Sequence, residues 1–248
     1  YSISKMKTLN FDTAPLGFNE LKQGLPTAKV KRLTIGKYWT LVETDSGSGL
    51  VTSPTRPLRK NILDDLLVFE GQSTDSTINL CHSQNPFERA VGCATLNSLV
   101  NNVDLDLSSE NGLDIKACDN DKIVIVGRFP GLDQKLPEAR VLERNPGPGD
   151  YPESAAAQLI PGCDHLIITA STWVNGSLKN ILRLAKNAKV SLIGPGTPLS
   201  PVFGYYGIKR LAGFVVTQPK LLAELISGGA GVKQFKHLGY FGVLNIND

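Results

Sequence analysis

Almost wholly apolar runs alternate with helical segments in the second half of the chain, and this alternation constrains the fold more than any other feature. The runs occupy 122–127, 139–143, 165–169, 189–194 and 211–217. Between and after them, helices are predicted over 174–186 and 219–226, and the connecting loops are short. Strands that are apolar along their whole length are typical of a parallel sheet covered by helices on both faces. The second half is therefore predicted to be an α/β domain with a parallel sheet.

The first half of the chain carries shorter runs in which β-branched and aromatic residues alternate loosely with polar ones. Three of them, at 30–36, 38–44 and 50–52, are separated by tight turns and predict an antiparallel meander. Helices are predicted over 16–25 and 58–69, where apolar residues recur at helical spacing. The first half is therefore predicted to be an α+β unit.

The clearest helix of the first half begins at Asn85 and Pro86 and runs to about Val100. Asn85 can cap the free backbone amides, Pro86 suits the first turn, and Glu88 meets the positive end of the helix dipole. Start signals of three kinds therefore coincide at one position, which predicts this helix more firmly than any other in the first half.

A polar and acidic stretch at 101–120 separates the two halves and is predicted to be a linker. The chain has 248 residues, of which 41% are hydrophobic, so it is long enough to bury two modest cores. We therefore predict two domains, an α+β domain at 1–118 and an α/β domain at 119–248.

The charge and the cysteines narrow the class of protein. The net charge is only +3 and no block rich in lysine or arginine occurs, so neither nucleic acid nor a membrane surface is a predicted partner. No apolar run reaches the length of a membrane span. The four cysteines form no C-x-x-C pair, which disfavours a structural zinc site, and they are expected to be reduced thiols of a cytoplasmic protein. Homo-oligomerisation is compatible with this composition.

Polar residues and glycines gather where the predicted parallel strands end at their carboxyl side. The loops that follow the first four strands are 127–131, 143–150, 169–176 and 194–200. They supply an arginine, Arg128, together with a carboxylate, hydroxyls and an amide, whereas the loops at the opposite edge are plainer. Ligands of open α/β sheets bind at the carboxyl ends of the strands. The sequence therefore predicts a small-molecule site at this edge.

Glu143 lies where a buried strand meets a loop of alternating proline and glycine. A carboxylate at such a position suits a general base, and Glu143 is the candidate catalytic residue. An ion pair with Arg144 or Arg128 that holds the loop explains the same residue equally well. Asp150, at the end of this loop, is expected to cap the helix that begins near Pro152.

Ser171, Thr172 and Asn175 lead into a predicted helix after the third strand. Their side chains and the free amides of the first turn can hold an anion, and N-capping is the alternative for each. Gly194 opens a Gly-Pro-Gly-Thr loop in which the backbone can approach a ligand closely. Neither a Walker loop nor a G-x-G-x-x-G sequence is present, so ordinary dinucleotide binding is not predicted.

One adjacent pair of soft metal ligands occurs, Cys81 and His82. A partly buried structural pair is the other interpretation, and it is the favoured one. His165 lies at the amino end of its predicted strand, away from the predicted site. No metal-binding residues are therefore predicted.

Four segments occur in an order that resembles one known family. They are Asn-Pro-Phe-Glu-Arg-Ala-Val-Gly-Cys-Ala-Thr-Leu-Asn at 85–97, Glu-Arg-Asn-Pro with Gly-Asp at 143–150, Ile-Thr-Ala-Ser-Thr-Trp-Val-Asn-Gly at 168–176 and Gly-Pro-Gly-Thr-Pro-Leu at 194–199. Together they resemble the putative heavy-metal chelation family, a domain of unknown function, from residue 30 onwards. The resemblance implies an N-terminal enolase N-terminal-like α+β domain, a C-terminal Rossmann-like α/β domain with a parallel sheet, and a cleft between them.

The resemblance also implies which side chains meet across that cleft. Residues of the first-domain helix are expected to face residues of the second-domain loops, namely Glu88, Arg89 and Asn97 on one side and Glu143, Asn145, Asn175 and Thr197 on the other. Arg89 would neutralise negative charge on the ligand, and the amide and hydroxyl side chains would orient it. Helix-dipole support and surface pairing are the alternative for Glu88 and Arg89.

Two positions depart from the family pattern. Gly196 stands where serine is usual, and Ala170 stands where glycine is usual. The hydroxyl that is missing at Gly196 is expected to weaken a ligand contact or to change the choice of ligand.

The leading hypothesis is an enzyme that acts on a polar anionic metabolite, in the making or handling of a heavy-metal chelator, with Glu143 as acid or base. A non-catalytic protein that binds a metal chelate is the alternative. A third hypothesis places a nucleotide-type cofactor such as S-adenosylmethionine on the Rossmann-like half. The sequence identifies no cofactor, and any metal is expected to enter as part of a chelate.

Overall fold

A computed structural model describes residues 14–246 and organises them around two β-sheets. The strands of the first sheet are β1 (Val30–Ile35), β2 (Trp39–Thr44) and β3 (Ser48–Thr52). They pair in the order β1-β2-β3, and both pairings are antiparallel. This arrangement confirms the predicted meander.

The helices of the first half pack on one side of this sheet around a single central helix. They are α1 (Phe18–Lys22), α2 (Lys60–Leu67), α3 (Thr74–Thr77) and α4 (Pro86–Val100), with a 3-10 helix at Ile78–His82 before α4. Helix α4 is the central one, since 12 of its 15 residues are buried. Asn85 caps it as predicted, because its Oδ1 accepts the backbone N–H of Phe87 at 3.1 Å.

Strand β3 lies directly against α4, and a glycine makes this contact possible. A Cβ on Gly49 would lie 1.9 Å from the carbonyl oxygen of Ala94 and 2.3 Å from the backbone nitrogen of Ser98. Only a residue without a side chain allows two backbones to approach so closely. The first sheet and α4 therefore form one rigid unit.

The second sheet has seven strands and is parallel except at one edge. Its strands are β4 (Ile123–Val126), β5 (Arg140–Glu143), β6 (Tyr151–Pro152), β7 (His165–Thr169), β8 (Lys189–Ile193), β9 (Ile208–Val216) and β10 (Gly239–Asn245). Their order is β10-β9-β8-β7-β4-β5-β6, and only β10 runs antiparallel to its neighbour. This confirms the predicted α/β fold with a parallel sheet.

Short helices cover the second sheet. They are α5 (Leu132–Lys135), α6 (Ala156–Leu159), α7 (Ser171–Asn175), α8 (Leu178–Leu184), α9 (Pro219–Ser227) and α10 (Val232–Phe235), with 3-10 helices at Glu153–Ala155, Ile160–Gly162, Pro201–Tyr206 and Lys236–Leu238. The single helix predicted over 174–186 is two helices, because Gly176 adopts a φ of 82° and ends α7. Among residues 14–246, no helix has the length and apolar character needed to cross a membrane.

Two strands of the second sheet, β6 and β10, were not predicted. Strand β6 has only two residues, one of them proline. Strand β10 contains Gly239 and Gly242, which lower strand propensity. At Gly239 the lack of a side chain is required, since a Cβ would lie 2.1 Å from the carbonyl oxygen of Val215 on β9. Packing therefore overrides local propensity at this edge.

The stretch predicted as a linker, 101–120, packs against the second sheet instead of spanning open space. Leu113 is buried in the cluster that contains Ile125 of β4, and Ser108 forms a β-bridge with Val243 of β10. Most residues of the stretch are polar, so the sequence does not indicate that these few residues pack against the sheet. The linker assignment is wrong, and the domain boundary between 118 and 119 stays a prediction.

Candidate functional site

A cleft of about 820 Å³ lies where the first half of the chain meets the carboxyl edge of the second sheet. The first half contributes Lys37, Tyr38 and Arg56 from its loops and Arg89 from α4, and the second half contributes Arg144, Ser171 and Asn175. We refer to the cavity lined by these residues as the cationic cleft. Its position matches the site predicted at the carboxyl ends of the strands.

The charge of the cationic cleft is of one sign. Lys37, Arg56, Arg89 and Arg144 line it, and no aspartate or glutamate does so among residues 14–246. Arg144 also pairs with Glu153 at 3.3 Å, but both of these side chains are more than half exposed, so solvent screens the pair strongly. The cleft therefore favours an anionic ligand.

Arg89 is the best held of the four cations. Its Nε and Nη2 donate to the carbonyl oxygen of Ser83 at 3.1 and 3.0 Å, which fixes the plane of the guanidinium. The third nitrogen, Nη1, lies on the side of Gly176, where a built Cβ would meet it at 3.0 Å. A half-buried, oriented guanidinium is well suited to bind a carboxylate or a phosphate. The structure thus places Arg89 where the resemblance implied.

Glu88, the neighbour of Arg89, has a local role. Its carboxylate accepts hydrogen bonds from the Ser83 hydroxyl at 2.5 Å and from the Asn85 amide at 3.3 Å. These contacts close the first turn of α4, in agreement with the alternative of helix-dipole support. Glu88 does not line the cationic cleft.

A second cavity of about 400 Å³ opens beside the cleft at the carboxyl ends of β4, β5 and β7. We call it the strand-end compartment. It shares Arg144, Ser171 and Asn175 with the cationic cleft, so the two cavities are continuous. Its walls include the apolar side chains of Val126, Leu142, Ala156, Ile181 and Leu184 together with the carboxylate of Glu143.

Glu143 bridges two loops through their backbones. Its Oε1 accepts the N–H of Arg128 at 2.7 Å, and its Oε2 accepts the N–H of Arg144 at 3.1 Å. The sequence left open whether Glu143 pairs with an arginine side chain, and the structure shows that it binds the arginine backbones instead. Glu143 therefore holds the ends of β4 and β5 in register. Its catalytic role stays a prediction.

The Arg128 guanidinium is bound to carboxylates. It pairs with Asp133 and with Asp150, each at 2.8 Å, and the hydrogen bond from Arg128 lowers the pKa of Asp150 below its ordinary value. Asp150 also accepts the backbone N–H of Gly147 at 3.0 Å, so it closes its own loop. The expectation that Asp150 caps a helix near Pro152 is therefore wrong, and Arg128 has a mainly structural role at the rim of the strand-end compartment.

Thr172 makes a structural hydrogen bond, whereas Asn175 is placed to contact a ligand. The Thr172 hydroxyl donates to the carbonyl oxygen of Thr169 at 2.7 Å, although the residue also lines the strand-end compartment. Asn175 accepts the N–H of Ser177 through Oδ1 and lines both cavities. Its amide is therefore placed to orient a ligand that spans them. Asn145 lies outside these cavities, in a shallow depression on the outer side of the loop.

Asn97 and Thr197 are fully buried and do not line either cavity. The Asn97 amide donates to the carbonyl oxygens of Leu50 at 3.2 Å and of Gly196 at 2.9 Å, which joins the first sheet to the loop after β8. Asn101 continues this junction by donating to the Thr197 carbonyl at 2.8 Å. We assign these residues to the contact between the two halves. The prediction of ligand contacts for Asn97 and Thr197 does not fit their burial.

Gly194 is part of the same junction. Its φ is 143°, which favours glycine, and its carbonyl accepts the N–H of Thr197 at 3.0 Å. The predicted close approach of the backbone to a ligand at Gly194 is instead an approach to Ala170, since a Cβ on Gly194 would lie 3.3 Å from that of Ala170.

A third cavity, of about 600 Å³, lies at the opposite, amino edge of the second sheet. Its charged and titratable lining residues are Lys116, Lys189, Lys209, Arg210, His165, Glu110 and Asp114. Arg210 pairs with Glu110 at 2.8 Å, so the charges at this edge are mixed and partly neutralised. The contrast supports the carboxyl edge as the place where an anion binds.

A family model described as putative heavy-metal chelation, DUF364, matches residues 111–244, which is more than half of the chain. The chain belongs to this family. A second model with the same description, DUF4213, matches residues 18–100.

Solved structures of the DUF364 family share the fold. A protein of unknown function from Desulfitobacterium hafniense superposes with a TM-score of 0.81 at 26% identity, over 92% of this chain and 97% of that one. A DUF364 protein of unknown function from Pyrococcus horikoshii superposes with a TM-score of 0.74 at 25% identity, over 92% of this chain and 96% of that one. An uncharacterised protein of Methanocaldococcus jannaschii is 27% identical over 154 residues, which span 57% of this chain and 60% of that relative.

Neither of the two departures from the DUF364 pattern lines the cationic cleft or the strand-end compartment. A Cβ on Gly196 would sit 3.0 Å from the Cα of Val51 and 3.2 Å from the carbonyl oxygen of Leu50. Gly196 therefore lets the loop after β8 touch β3. Ala170 is buried and faces Gly194. The expectation that the missing hydroxyl alters a ligand contact is not supported, because Gly196 does not line the cavities.

The cysteine and histidine candidates of this family member are structural. The Cys81 and Cys93 thiols are both fully buried with their sulfurs 3.9 Å apart, and burial raises the pKa of Cys81 well above its ordinary value. The His82 ring packs edge-on against Phe18. Within residues 14–246 no three histidine, cysteine, aspartate or glutamate side chains cluster as a metal site. His165 lies at the amino edge, where it contacts Asp121 at 3.0 Å.

Several lining residues of the cleft were missed in the sequence. Lys37 and Tyr38 come from the turn between β1 and β2, and Arg56 comes from a proline-flanked loop after β3. Single exposed cations in loops are usually solvated, so nothing local distinguishes them. The one available signal is the pair of prolines, Pro54 and Pro57, which stiffens the loop that carries Arg56.

Proposed function

We propose that this DUF364 family member binds a polar, anionic small molecule in the cationic cleft. The observation that supports the proposal is the charge of the lining, which has four cations and no carboxylate among the residues that the structure describes. A concave surface of one charge sign concentrates ligands of the opposite sign. Arginine side chains, such as Arg89 with its fixed guanidinium plane, bind carboxylate and phosphate groups in a defined orientation.

The family description connects this ligand with heavy metals. Molecules that chelate such metals carry several acidic groups, and both the free chelator and many of its metal complexes are anionic. We therefore take the ligand to be a chelating metabolite or its metal complex. In this proposal the metal is cargo that enters inside the chelate.

A catalytic role in this proposal depends on Glu143. Each of its oxygens accepts one backbone N–H, and a carboxylate offers about four acceptor sites, so it can still accept a hydrogen bond from a ligand in the strand-end compartment. A protein that only carries a chelate would bind the same ligand and return it unchanged. Incubation with a bound ligand followed by mass spectrometry distinguishes these two functions, because only the enzyme changes the mass of its ligand.

A thermal-shift panel tests the proposal at low ionic strength. Its probes are citrate, nitrilotriacetate, the nickel and zinc complexes of nitrilotriacetate, the bare nickel and zinc ions, and glucose as an uncharged control. We expect at least one acid or complex to raise the melting temperature by about 5–10 °C at a hundredfold excess over its Kd. The shift should decline with added sodium chloride, because salt screens exposed charges.

The same panel can overturn the proposal. Stabilisation by the bare ions alone would mean that the chain ligates metal directly, and no response to any acid would remove the anion-binding function. The Arg183→Gln variant is a matched control, because Arg183 is an exposed arginine on α8 that lines neither cavity. It should keep the full response.

A further inference from the structure

The strand-end compartment differs in chemistry from the cationic cleft into which it opens. Its lining combines apolar side chains, among them Val126, Leu142 and Ile181, with hydroxyls, amides and two carboxylates, whereas no carboxylate lines the cleft in the described chain. Its volume of about 400 Å³ lies within the range of ordinary ligand pockets. The carboxylates of the compartment, Glu143 and Glu153, disfavour a second anionic group there. The compartment therefore fits a second, less polar part of the same ligand.

The position of the compartment is the one where α/β sheets bind nucleosides. Counted within the second sheet in chain order, the parallel strands β6, β5, β4, β7, β8 and β9 lie in the spatial order 3-2-1-4-5-6. The order reverses between β4 and β7, and the compartment opens at the ends of these two strands and of β5. Ligands of doubly wound sheets bind at this reversal.

Glu143 supplies a group that a ribose requires. It ends β5, the neighbour of the first strand, where an acidic residue of Rossmann-like sheets accepts hydrogen bonds from ribose hydroxyls. The two backbone N–H groups that it binds fix its orientation. Its remaining lone pairs can accept from the two vicinal hydroxyls of a ribose.

The phosphate end of an ordinary dinucleotide does not fit at β4. The helix that follows β4 has only four residues, and the loop before it holds Arg128 in ion pairs with Asp133 and Asp150. Arg89 and Arg144 line the adjoining cationic cleft, and Arg144 also lines the compartment. An anionic group attached to the ribose would therefore extend into the cleft.

We infer that the ligand is a nucleoside with an anionic 5′ substituent. The base of the nucleoside lies against the apolar side chains near Ile181, and its ribose hydroxyls bind Glu143. Its anionic end lies in the cleft beside Arg89. This inference rests on the proposed function, because it uses the same cationic cleft for the anion. The anionic end has two chemical sources, a phosphate or a carboxylate attached at the 5′ carbon.

Calorimetric titration of the purified chain tests the inference. The probes are the four common ribonucleoside 5′-monophosphates, adenosine 5′-carboxylic acid, 2′,3′-dideoxyadenosine 5′-monophosphate, inorganic phosphate and citrate. We expect one nucleoside probe to bind at least about tenfold more tightly than phosphate. Removal of its 2′,3′-diol should lower its affinity by about tenfold. Preference for a monophosphate or for the 5′-carboxylic acid identifies the source of the anionic end.

Two variants locate the nucleoside without altering Glu143, whose replacement disturbs both loops. Ile181→Trp fills the compartment from α8. Arg183→Trp is its matched control, because it adds the same side chain at an exposed position of α8 that lines neither cavity. The Ile181→Trp variant should lose the advantage of the nucleoside over phosphate and should keep its affinity for citrate. The Arg183→Trp variant should behave as the wild type.

The failures of the two proposals are distinguishable. If citrate or phosphate binds and no nucleoside probe binds more tightly, the nucleoside inference is overturned and the anion site stands. If the diol or Ile181→Trp makes no difference to the nucleoside probe, the inference is likewise overturned. If neither citrate nor phosphate binds, the proposed function fails.

Discussion

Replacement of Arg89 by glutamine should weaken citrate binding by at least about tenfold while the fold is kept. Among the four cations of the cleft, Arg89 alone in the described chain donates two hydrogen bonds to one backbone carbonyl, that of Ser83. These two bonds hold the guanidinium in a fixed orientation. A glutamine keeps a polar side chain but loses the positive charge and the paired N–H donors of the guanidinium. Titration calorimetry at low ionic strength measures the change, and circular dichroism checks the fold.

Two further variants separate charge from geometry at Arg89. Arg89→Lys keeps the charge and loses the planar fork, so its affinity for citrate should lie between those of the wild type and Arg89→Gln. Arg183→Gln removes an exposed arginine elsewhere and should change nothing. Equal citrate affinity in Arg89→Gln and the wild type would exclude Arg89 from the binding site.

Gly49→Ala should be the most destabilising single-methyl change on the first sheet, with a loss of about 3 kcal/mol or more in the free energy of unfolding. The added Cβ would lie 1.9 Å from the Ala94 carbonyl and 2.3 Å from the Ser98 nitrogen. Both are backbone atoms of α4, so no side-chain rotation relieves the overlap. The strand must move away from the helix, which also strains the Asn97 hydrogen bond to Leu50. Urea unfolding measures the loss.

Gly162→Ala is the matched control for this prediction. No atom lies within 4 Å of the Cβ position of Gly162, and its φ is outside the left-handed region. Its stability should stay within about 0.5 kcal/mol of the wild type. A Gly49→Ala protein with the stability of this control would show that β3 does not pack on α4 as described.

The second sheet was predictable because its signals are local. Each apolar run, such as the one that became β7, is long enough to identify a buried strand, and loop residues mark both ends. Strand β10 was missed because its two glycines weaken the local signal, whereas its pairing with β9 is a long-range contact. Periodicity carries no information about such pairing.

The candidate site was only partly predictable, for the same reason. Arg89 and Asn175 lie in recognisable segments at the ends of regular elements, and both line the cleft. Lys37 and Arg56 reach it only because the first sheet folds over the edge of the second. Asn97 shows the opposite error, since a polar residue on an apolar helix suggested a ligand contact and instead joins the two halves through Leu50.

The most direct measurement is a crystal structure of the protein grown with citrate at low ionic strength. We predict electron density for citrate in the cationic cleft, within hydrogen-bonding distance of Nη1 of Arg89 and close to Arg144. Citrate found only in the cavity at the amino edge, beside Lys189 and Arg210, would contradict the assignment of the anion site to the carboxyl edge. A cleft that stays empty when titration has shown binding would contradict it as well.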